Sequence, residues 1–497
     1  MIKSMNRKFF TLAAASFLAM SAAAFSQGFN AGDIVISTVS NNDPGAPNSS
    51  LDTASPITLD EFTPSASGTS VTTDGSLTLP QSSSGNNSAI SGEYGSASEG
   101  ILQDSANGAY LTMMGYGVNA ATFNSAPITT YGTAALGQTT SLTETSGTSY
   151  TTVPRVVALI GASGSVDTST AITGVFNMNN PRSVATVDGS AFWISGQGAS
   201  EGDSTEGVFY ATDGASTATG IDNSTDTRVV SIQNTGSGNT LYVSRDVKVG
   251  GGNNNLTNVS TLTVAGGGLP TSSVGVTTTH ITPPASPNSL GGNNGSINVT
   301  AATENGINNS RLNSFVYLSP EQSFLASPTV MYVADSGEPK NGNANAAALG
   351  EGGLQKWVLT SGTWTLDYDL TAGLSLVNNA NANSANPTNP GVTGLLGLAG
   401  QVVDSGSEVE LFATSYGLNE LSSSYLYEIT DDLSATSNTD PAVEDESFST
   451  LYSAPTGTSI RGVAFAPIAP VPEPGTWGMA LGGLCMLLAF QRSRRRS

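Results

Sequence analysis

A single histidine, His280, stands in Thr277-Thr278-Thr279-His280-Ile281-Thr282, and a single cysteine, Cys485, lies near the end of the 497-residue chain. A Ser-His-Asp triad or a histidine-bearing zinc site must therefore use His280, since no second imidazole and no earlier thiolate is on offer. No nucleophile-elbow sequence accompanies it, and it reads as an ordinary strand or loop histidine. Carboxylates are more numerous. Glu201-Gly202-Asp203-Ser204-Thr205-Glu206, Asp222-Asn223-Ser224-Thr225-Asp226 and Thr430-Asp431-Asp432 carry oxygen ligands suited to calcium. Without EF-hand spacing or a nonapeptide repeat, they read as solvated loops. Glycoside hydrolysis needs two carboxyls facing each other across a cleft. Asp367, Asp369 and Glu428 are the candidates, and turn acids are their plainer reading. The expectation is a body with no catalytic residue, no metal and no cofactor. Asn-x-Ser/Thr triplets at Asn48, Asn86, Asn223, Asn255, Asn258, Asn294, Asn298 and Asn308 arise from composition as readily as from glycan acceptance.

Both ends of the chain carry handling signals. Lys3, Arg7 and Lys8 precede an apolar stretch from Phe9 to Met20 and then small residues, the order of a secretory signal peptide. Cleavage after Ser26, through Ala24 and Ser26, satisfies the small-x-small rule, and cleavage after Ala24 does so equally well. At the other end stand Val471-Pro472-Glu473-Pro474, an apolar run from Gly475 to Phe490, and Arg492, Arg494, Arg495 and Arg496. The run is short for a membrane-spanning helix, which usually takes about 20 residues. The arginines sit where the positive-inside rule holds them in the cytoplasm, leaving everything before Gly475 outside.

The ordered set of Pro-Glu-Pro, one transmembrane helix and an arginine-rich end resembles the PEP-CTERM sorting signal of Gram-negative bacteria that make extracellular polysaccharide. The resemblance implies that Pro472, Glu473 and Pro474 are the recognition tripeptide for exosortase, a membrane-embedded cysteine protease, and that Arg492, Arg494, Arg495 and Arg496 form the cytoplasmic retention end. It implies an inner-membrane-anchored precursor that is released or re-anchored at the cell surface or in the extracellular matrix. It touches only the last part of the chain and does not bear on the body.

Those signals divide the chain into a signal peptide (1–26), an extracellular body (27–470) and a sorting signal (471–497). The chain has 16 basic and 38 acidic residues. The two ends take seven basic and one acidic, leaving nine basic and 37 acidic in the body, a balance of −28. Nucleic acid and anionic membrane surfaces, which need Lys and Arg to displace counterions, are thereby disfavoured as partners of the body. With Cys485 inside the terminal helix, the body has no disulfide and must be held by a packed core.

The body is rich in Gly, Ser, Thr, Asn and Ala, yet its apolar residues gather into short runs bounded by turn residues, the pattern of β-strands. Seven runs resemble one another: Asp33–Ser37, Ala109–Met113, Ala191–Ser195, Thr240–Ser244, Val330–Ala334, Glu410–Thr414 and Gly462–Ala466. Their spacing suits one four-stranded propeller blade plus variable loops. One blade is expected from Ser183–Val187, Ala191–Ser195, Gly207–Thr212 and Arg228–Ile232, and another from Gly394–Val403, Val409–Thr414, Ser424–Ile429 and Phe448–Tyr452. Ile460–Ala466 reads as an orphan innermost strand. Gly32–Val39, Pro56–Phe62 and Thr69–Leu79 are three strands lacking a first one, so a composite closing blade is expected. The expectation is an all-β propeller, with seven blades favoured and six or eight as the alternatives, held by packing of Phe192, Trp193, Phe209, Tyr210, Tyr242, Tyr332, Trp357, Phe412 and Phe465 between blades. A β-sandwich or right-handed β-helix shares this composition. The Asn-rich stretches 253–258, 291–309, 341–348 and 378–389 read as exposed insertion loops. Lacking a catalytic constellation, the body is expected to be a non-enzymatic module, binding extracellular polysaccharide or other surface proteins through loops or the channel mouth. The alternative is an extracellular carbohydrate-active hydrolase or lyase on the same ring.

Overall fold

The computed structural model describes residues 28–41, 51–65, 68–96, 98–143, 150–200, 202–223, 225–245, 258–281, 296–298, 304–305, 315–317, 320–337, 352–374, 376, 391–417, 423–436 and 440–469. The signal-peptide residues Ala24 and Ser26, the sorting residues Pro472, Glu473 and Pro474, the four C-terminal arginines and most of the Asn-rich insertions lie outside them. No helix among the described residues is long and apolar enough to cross a membrane, and the Gly475–Phe490 run also lies outside them.

The described chain is almost wholly antiparallel sheet in a propeller-like arrangement. Four sheets stand alone as blades. The third, fourth and sixth along the chain are four-stranded: Pro181–Thr186 to Thr219–Asp222, Val230–Asn234 to Val276–His280, and Val392–Val403 to Ser449–Ser453. The fifth runs from Pro320–Ser327 to Thr363–Leu370, with Glu304–Asn305 added parallel at its edge. A ten-stranded sheet contains two further meanders. In the first blade, Thr458–Phe465 pairs with Ile34–Ser40, then Ala54–Pro64, then Val71–Thr78. In the second, Gln103–Asp104 pairs with Tyr110–Tyr116, then Arg155–Gly161, then Val166–Asp167. The short strand Ser91–Glu93 bridges the two. The innermost strands, or the strands beside them, meet neighbour to neighbour in cyclic order, from Thr458–Phe465 round to Val392–Val403 and back. The ring is therefore closed by pairing of the chain's two ends, with Ile34 opposite Phe465 and Ile36 opposite Val463.

Among the described residues, four separate sheets and two meanders of the ten-stranded sheet follow one another; seven blades are not shown. Six of the seven similar runs fall in second strands: Ile34–Ser40, Tyr110–Tyr116, Ala191–Gly196, Asn239–Arg245, Val330–Asp335 and Glu408–Gly417. Such a strand is flanked on both faces by neighbouring blades, so it is buried along nearly its whole length and reads as a continuous apolar run. The seventh run, Gly462–Ala466, lies at the innermost strand of the first blade, which therefore contributes two of the seven runs. One correction concerns the third blade. Its outer strand is Thr219–Asp222, while the Arg228–Ile232 run opens the fourth blade as its innermost strand. Thr219-Gly220-Ile221-Asp222 has a single apolar residue and no strand signature, so the next apolar run takes its place in the sequence pattern.

The axis is packed with backbone and side chains. A Cβ on Gly462 would stand 2.1 Å from the Leu102 nitrogen, and one on Gly397 3.1 Å from the Gly462 Cα, so only glycine lets these strands meet. Ile101, Val229, Leu396 and Tyr416, from the second, fourth and sixth blades, form one buried cluster. The Gln103 Nε2 donates to the carbonyls of Val184 (3.0 Å) and Val230 (2.8 Å), tying three blades together. Between blades, the expected aromatics Phe192, Trp193, Phe209, Tyr242, Tyr332, Trp357 and Phe412 are all buried, while Tyr210 and Phe465 are half-buried. Two short helices, Ala120–Ser125 and Ile128–Tyr131, interrupt the all-β pattern in the second blade. Asn119 caps the first by accepting from the Thr122 N–H at 2.7 Å, and Phe123 and Tyr131 seat the pair on Tyr116 and Leu136.

Candidate functional site

Ionisable side chains gather at two buried places, both between blades. The first lies where the closing strand meets the second blade. Ser91–Glu93 and the turn after it bring Glu93 and Glu99 together, 8% and 3% exposed. The Glu93 N–H donates to Glu99 Oε1 at 2.5 Å, the Tyr116 hydroxyl donates to Glu99 Oε2 at 2.8 Å, and the Gly137 N–H donates to Glu93 Oε2. Burial, then the neighbouring Glu99, pushes the Glu93 carboxyl up to about 9. Burial pushes Glu99 up to about 7, against the Glu93 N–H and the Arg461 charge, which pull it down. Arg155 stacks over the Tyr116 ring at 4.8 Å and donates to the carbonyls of Thr139, Val153 and Phe176. Arg461, on the closing strand, donates to the Tyr94 carbonyl at 2.5 Å. A cavity of about 10 Å³ beside Glu99 and Arg461 has room for one water. The pair thus lies against Arg461 of the closing strand, with this small cavity beside it.

The second cluster joins the fifth and sixth blades. Lys356 Nζ lies 2.9 Å from Asp431 Oδ2, both side chains fully buried. The hydroxyls of Tyr332 and Tyr368 donate to Asp431, the latter at 2.5 Å, and Lys356 donates to the carbonyls of Asp432 (2.6 Å) and Ala435 (3.0 Å). Burial, then Asp431, pushes Glu446 up to about 9. Asp367 is raised by burial, with Lys356 and Asp431 as the charges that bear on it. Glu428 is pushed up to about 7 by burial, with the Thr430 hydroxyl and Glu410 as its other influences. Asp369 is fully buried. Asp367 and Glu428 thus sit in different surroundings, and the structure does not bring them to a shared cleft.

The other expected acids are similarly employed. Asp222 pairs with Arg245 at 2.5 Å and Asp226 with Arg182, whose Nη2 also donates to Gln197 at 2.9 Å. Arg228 lies 3.6 Å from Glu321. Glu206 is buried and accepts from the Gly202 N–H at 2.7 Å, and Asp203 accepts from the Thr205 N–H at 2.8 Å. Among the described residues no group of three or more His, Cys, Asp or Glu is placed to hold a metal ion. His280 stands exposed on the outer strand of the fourth blade, its Nδ1 2.9 Å from Ser260 Oγ. Burial, then Arg245, lowers its pKa, so the charge acting on the ring is a cation rather than the carboxylate a triad needs.

One open feature stands apart from these buried clusters, a groove of about 500 Å³ between the third and fourth blades. Trp193 and Tyr210, opposite one another on adjacent strands, form one wall, with ring centroids 5.4 Å apart and planes at 58°. The β-hairpin around Ser237, Gly238 and Asn239 supplies another wall, with Thr240 and Thr263 on the strands behind it. Val264, Gly267, Gly268, Leu269 and Thr271 complete the rim. The indole N–H of Trp193 donates to the Pro270 carbonyl at 2.6 Å, which fixes the ring. Sequence reasoning places both aromatics between blades but has no signal for the opening beside them.

The topology and the filled axis define a β-propeller-like body. Residues 470–496 match the model of the PEP-CTERM protein-sorting motif, so the chain ends in the sorting signal of exosortase substrates. That motif implies processing by exosortase, a membrane protein, and export through a membrane-anchored precursor. No curated protein matches the sequence. Among solved structures, the chain is similar to a hypothetical selenium-binding protein from Sulfolobus tokodaii, with 8% identity, 88% of this chain and 94% of that one covered, and a TM-score of 0.36. It is also similar to a PL25 polysaccharide lyase, an ulvan lyase bound to a -[GlcA(1-4)Rha3S]- saccharide, with 8% identity, coverage of 86% and 83%, and a TM-score of 0.30. At such scores neither neighbour bears on what this chain binds or does.

Proposed function

We propose that the protein is delivered to the cell surface or the extracellular polysaccharide matrix, where its propeller body is a non-catalytic binding module. The observation that carries this is the PEP-CTERM motif at 470–496 on an acidic, cysteine-free body. In this reading a signal peptide ends at Ala24 or Ser26 and Gly475–Phe490 is a short transmembrane anchor. Exosortase recognises Pro472, Glu473 and Pro474, and Arg492, Arg494, Arg495 and Arg496 hold the tail in the cytoplasm until cleavage. Support for binding over catalysis comes from where the carboxyls sit. Glu93, Glu99, Asp431 and Asp369 are buried between or within blades, while the open groove beside Trp193 is lined by uncharged groups. The test is intact-mass measurement on surface and membrane fractions of the native host. Loss of both terminal segments from the surface form is expected, together with retention of the tail when Pro472, Glu473 and Pro474 are replaced by alanine. Mature surface protein that keeps residues 471–497 overturns the sorting assignment. Release of reducing ends from a polysaccharide by the purified protein, abolished by one Asp or Glu substitution, overturns the non-catalytic one.

A further inference from the structure

The groove between the third and fourth blades has the size of a small-ligand site, which spans about 300 to 1,000 Å³. Its lining holds no ionisable side chain other than the Tyr210 phenol, in a chain of net charge −22. An anionic ligand finds no counter-charge there and is repelled by the body as a whole, and a cation finds no carboxylate. What remains is the Tyr210 ring with Trp193 behind it, the apolar Val264 and Leu269, and a rim of Ser and Thr hydroxyls with the Asn239 amide. A pyranose presents one apolar C–H face and a rim of hydroxyls, which is the complement of that surface. We propose that this groove binds an uncharged saccharide chain, with the half-buried Tyr210 ring as the stacking face, backed by the buried Trp193, and Ser237, Asn239, Thr240 and Thr263 as its hydrogen-bonding rim. The proposal rests on the binding reading above and names the ligand class and the site.

Preorganisation favours the assignment. Trp193 is 5% exposed and its one donor is spent on Pro270, so its ring is already held in place before a ligand arrives. The Tyr210 hydroxyl has no hydrogen-bond partner among the described residues, which leaves it for a sugar hydroxyl. Gly267 and Gly268 adopt φ of 84° and 88°, and a Cβ at either would meet nothing within 4 Å. The rim there is kept low by backbone conformation rather than by crowding.

The test is isothermal titration calorimetry of the purified full chain with cellohexaose, maltohexaose, chitohexaose and, as the charged comparison, a hexameric oligogalacturonate. Binding of at least one neutral oligomer and none of the uronate is expected. Tyr210→Ala and the isosteric Asn239→Asp should each weaken it by about tenfold, equivalent to 1.4 kcal/mol, with the thermal unfolding of the Asn239→Asp variant unchanged. A wild-type protein that binds none of the neutral oligomers, or only the uronate, overturns the proposal while leaving surface delivery standing. Neutral binding that survives both substitutions overturns the site and leaves a saccharide-binding body standing.

Discussion

Glu99→Gln separates the buried carboxyl pair from the rest of the fold. In the folded protein Glu99 holds its proton to about 7 and Glu93 to about 9, against an ordinary glutamate value of 4.5 in the unfolded chain. Between those limits the folded state binds more protons than the unfolded one, so the free energy of unfolding falls as pH rises. The stability linked to the pair is fully present below pH 4.5 and is lost as pH climbs through 7 and on towards 9. A shift of about 2.5 units at a fully buried group is at most about 3 kcal/mol, since one unit is about 1.36 kcal/mol. With an unfolding entropy of about 2.1 cal/mol/K per residue over some 440 residues, 1 kcal/mol moves a cooperative transition by about 1 °C, and 3 kcal/mol by about 3 °C. The introduced glutamine keeps an acceptor for the Glu93 N–H, and the Tyr116 hydroxyl can turn to accept from its amide. The variant should therefore match the wild type near pH 5 and exceed it at pH 9 by up to that margin. Calorimetric scans at pH 5, 6, 7, 8 and 9 at constant ionic strength read both curves. A wild type more stable at pH 9 than at pH 5, or a variant curve parallel to it throughout, refutes the reasoning.

Lys356→Met leaves Asp431 buried without its cation, and removal of one partner of such a pair costs about 3 to 5 kcal/mol, to be read by denaturant titration. A loss below about 1 kcal/mol would mean that the two tyrosine hydroxyls suffice to hold the carboxylate. Deleting Ile460–Ala466 removes the strand that pairs with Ile34–Ser40 and exposes an edge, so the variant should aggregate on size-exclusion chromatography. A monomeric variant with unchanged thermal unfolding contradicts ring closure. EDTA should leave the melting temperature in place; a fall of more than about 4 °C would reveal a structural cation, since by the same scaling that shift amounts to about 4 kcal/mol.

The strands and the closure are legible in sequence because they depend on local pattern. Short β-branched and aromatic runs between turn residues mark strands wherever they occur, and a first-blade set lacking one strand, matched by one strand left over near Arg461, implies closure without knowledge of any contact. What the pattern does not carry is the assignment of strands to positions within a blade. Gly462–Ala466 looks like the second-strand runs because an innermost strand and a second strand are both covered on two faces, so their apolar content is alike. Only pairing distinguishes them, and pairing spans more than 400 residues here. Thr219–Asp222 escapes notice for the opposite reason, since an outer strand of four residues needs little apolar content to pair.

The sequence alone determines the C-terminal sorting motif, the acidic and cysteine-free character of the body, the β-class and the closing of its ring, because each is written in composition or in contiguous residues. Tertiary structure alone decides which acids are neutralised and where the molecule is open. Asp222 and Asp226 look like solvated loop acids until Arg245 and Arg182, 23 and 44 residues away, are folded against them. Asp431 looks solvated until Lys356 from the preceding blade is buried on it. Trp193 and Tyr210 are read as packing residues, and Trp193 is buried, but the groove beside them arises only when residues 237–240 and 263–271 of the next blade are folded alongside. The physical reason is the same in each case: charge pairing and cavity shape are set by distances between segments remote in the chain, and no local pattern encodes those distances.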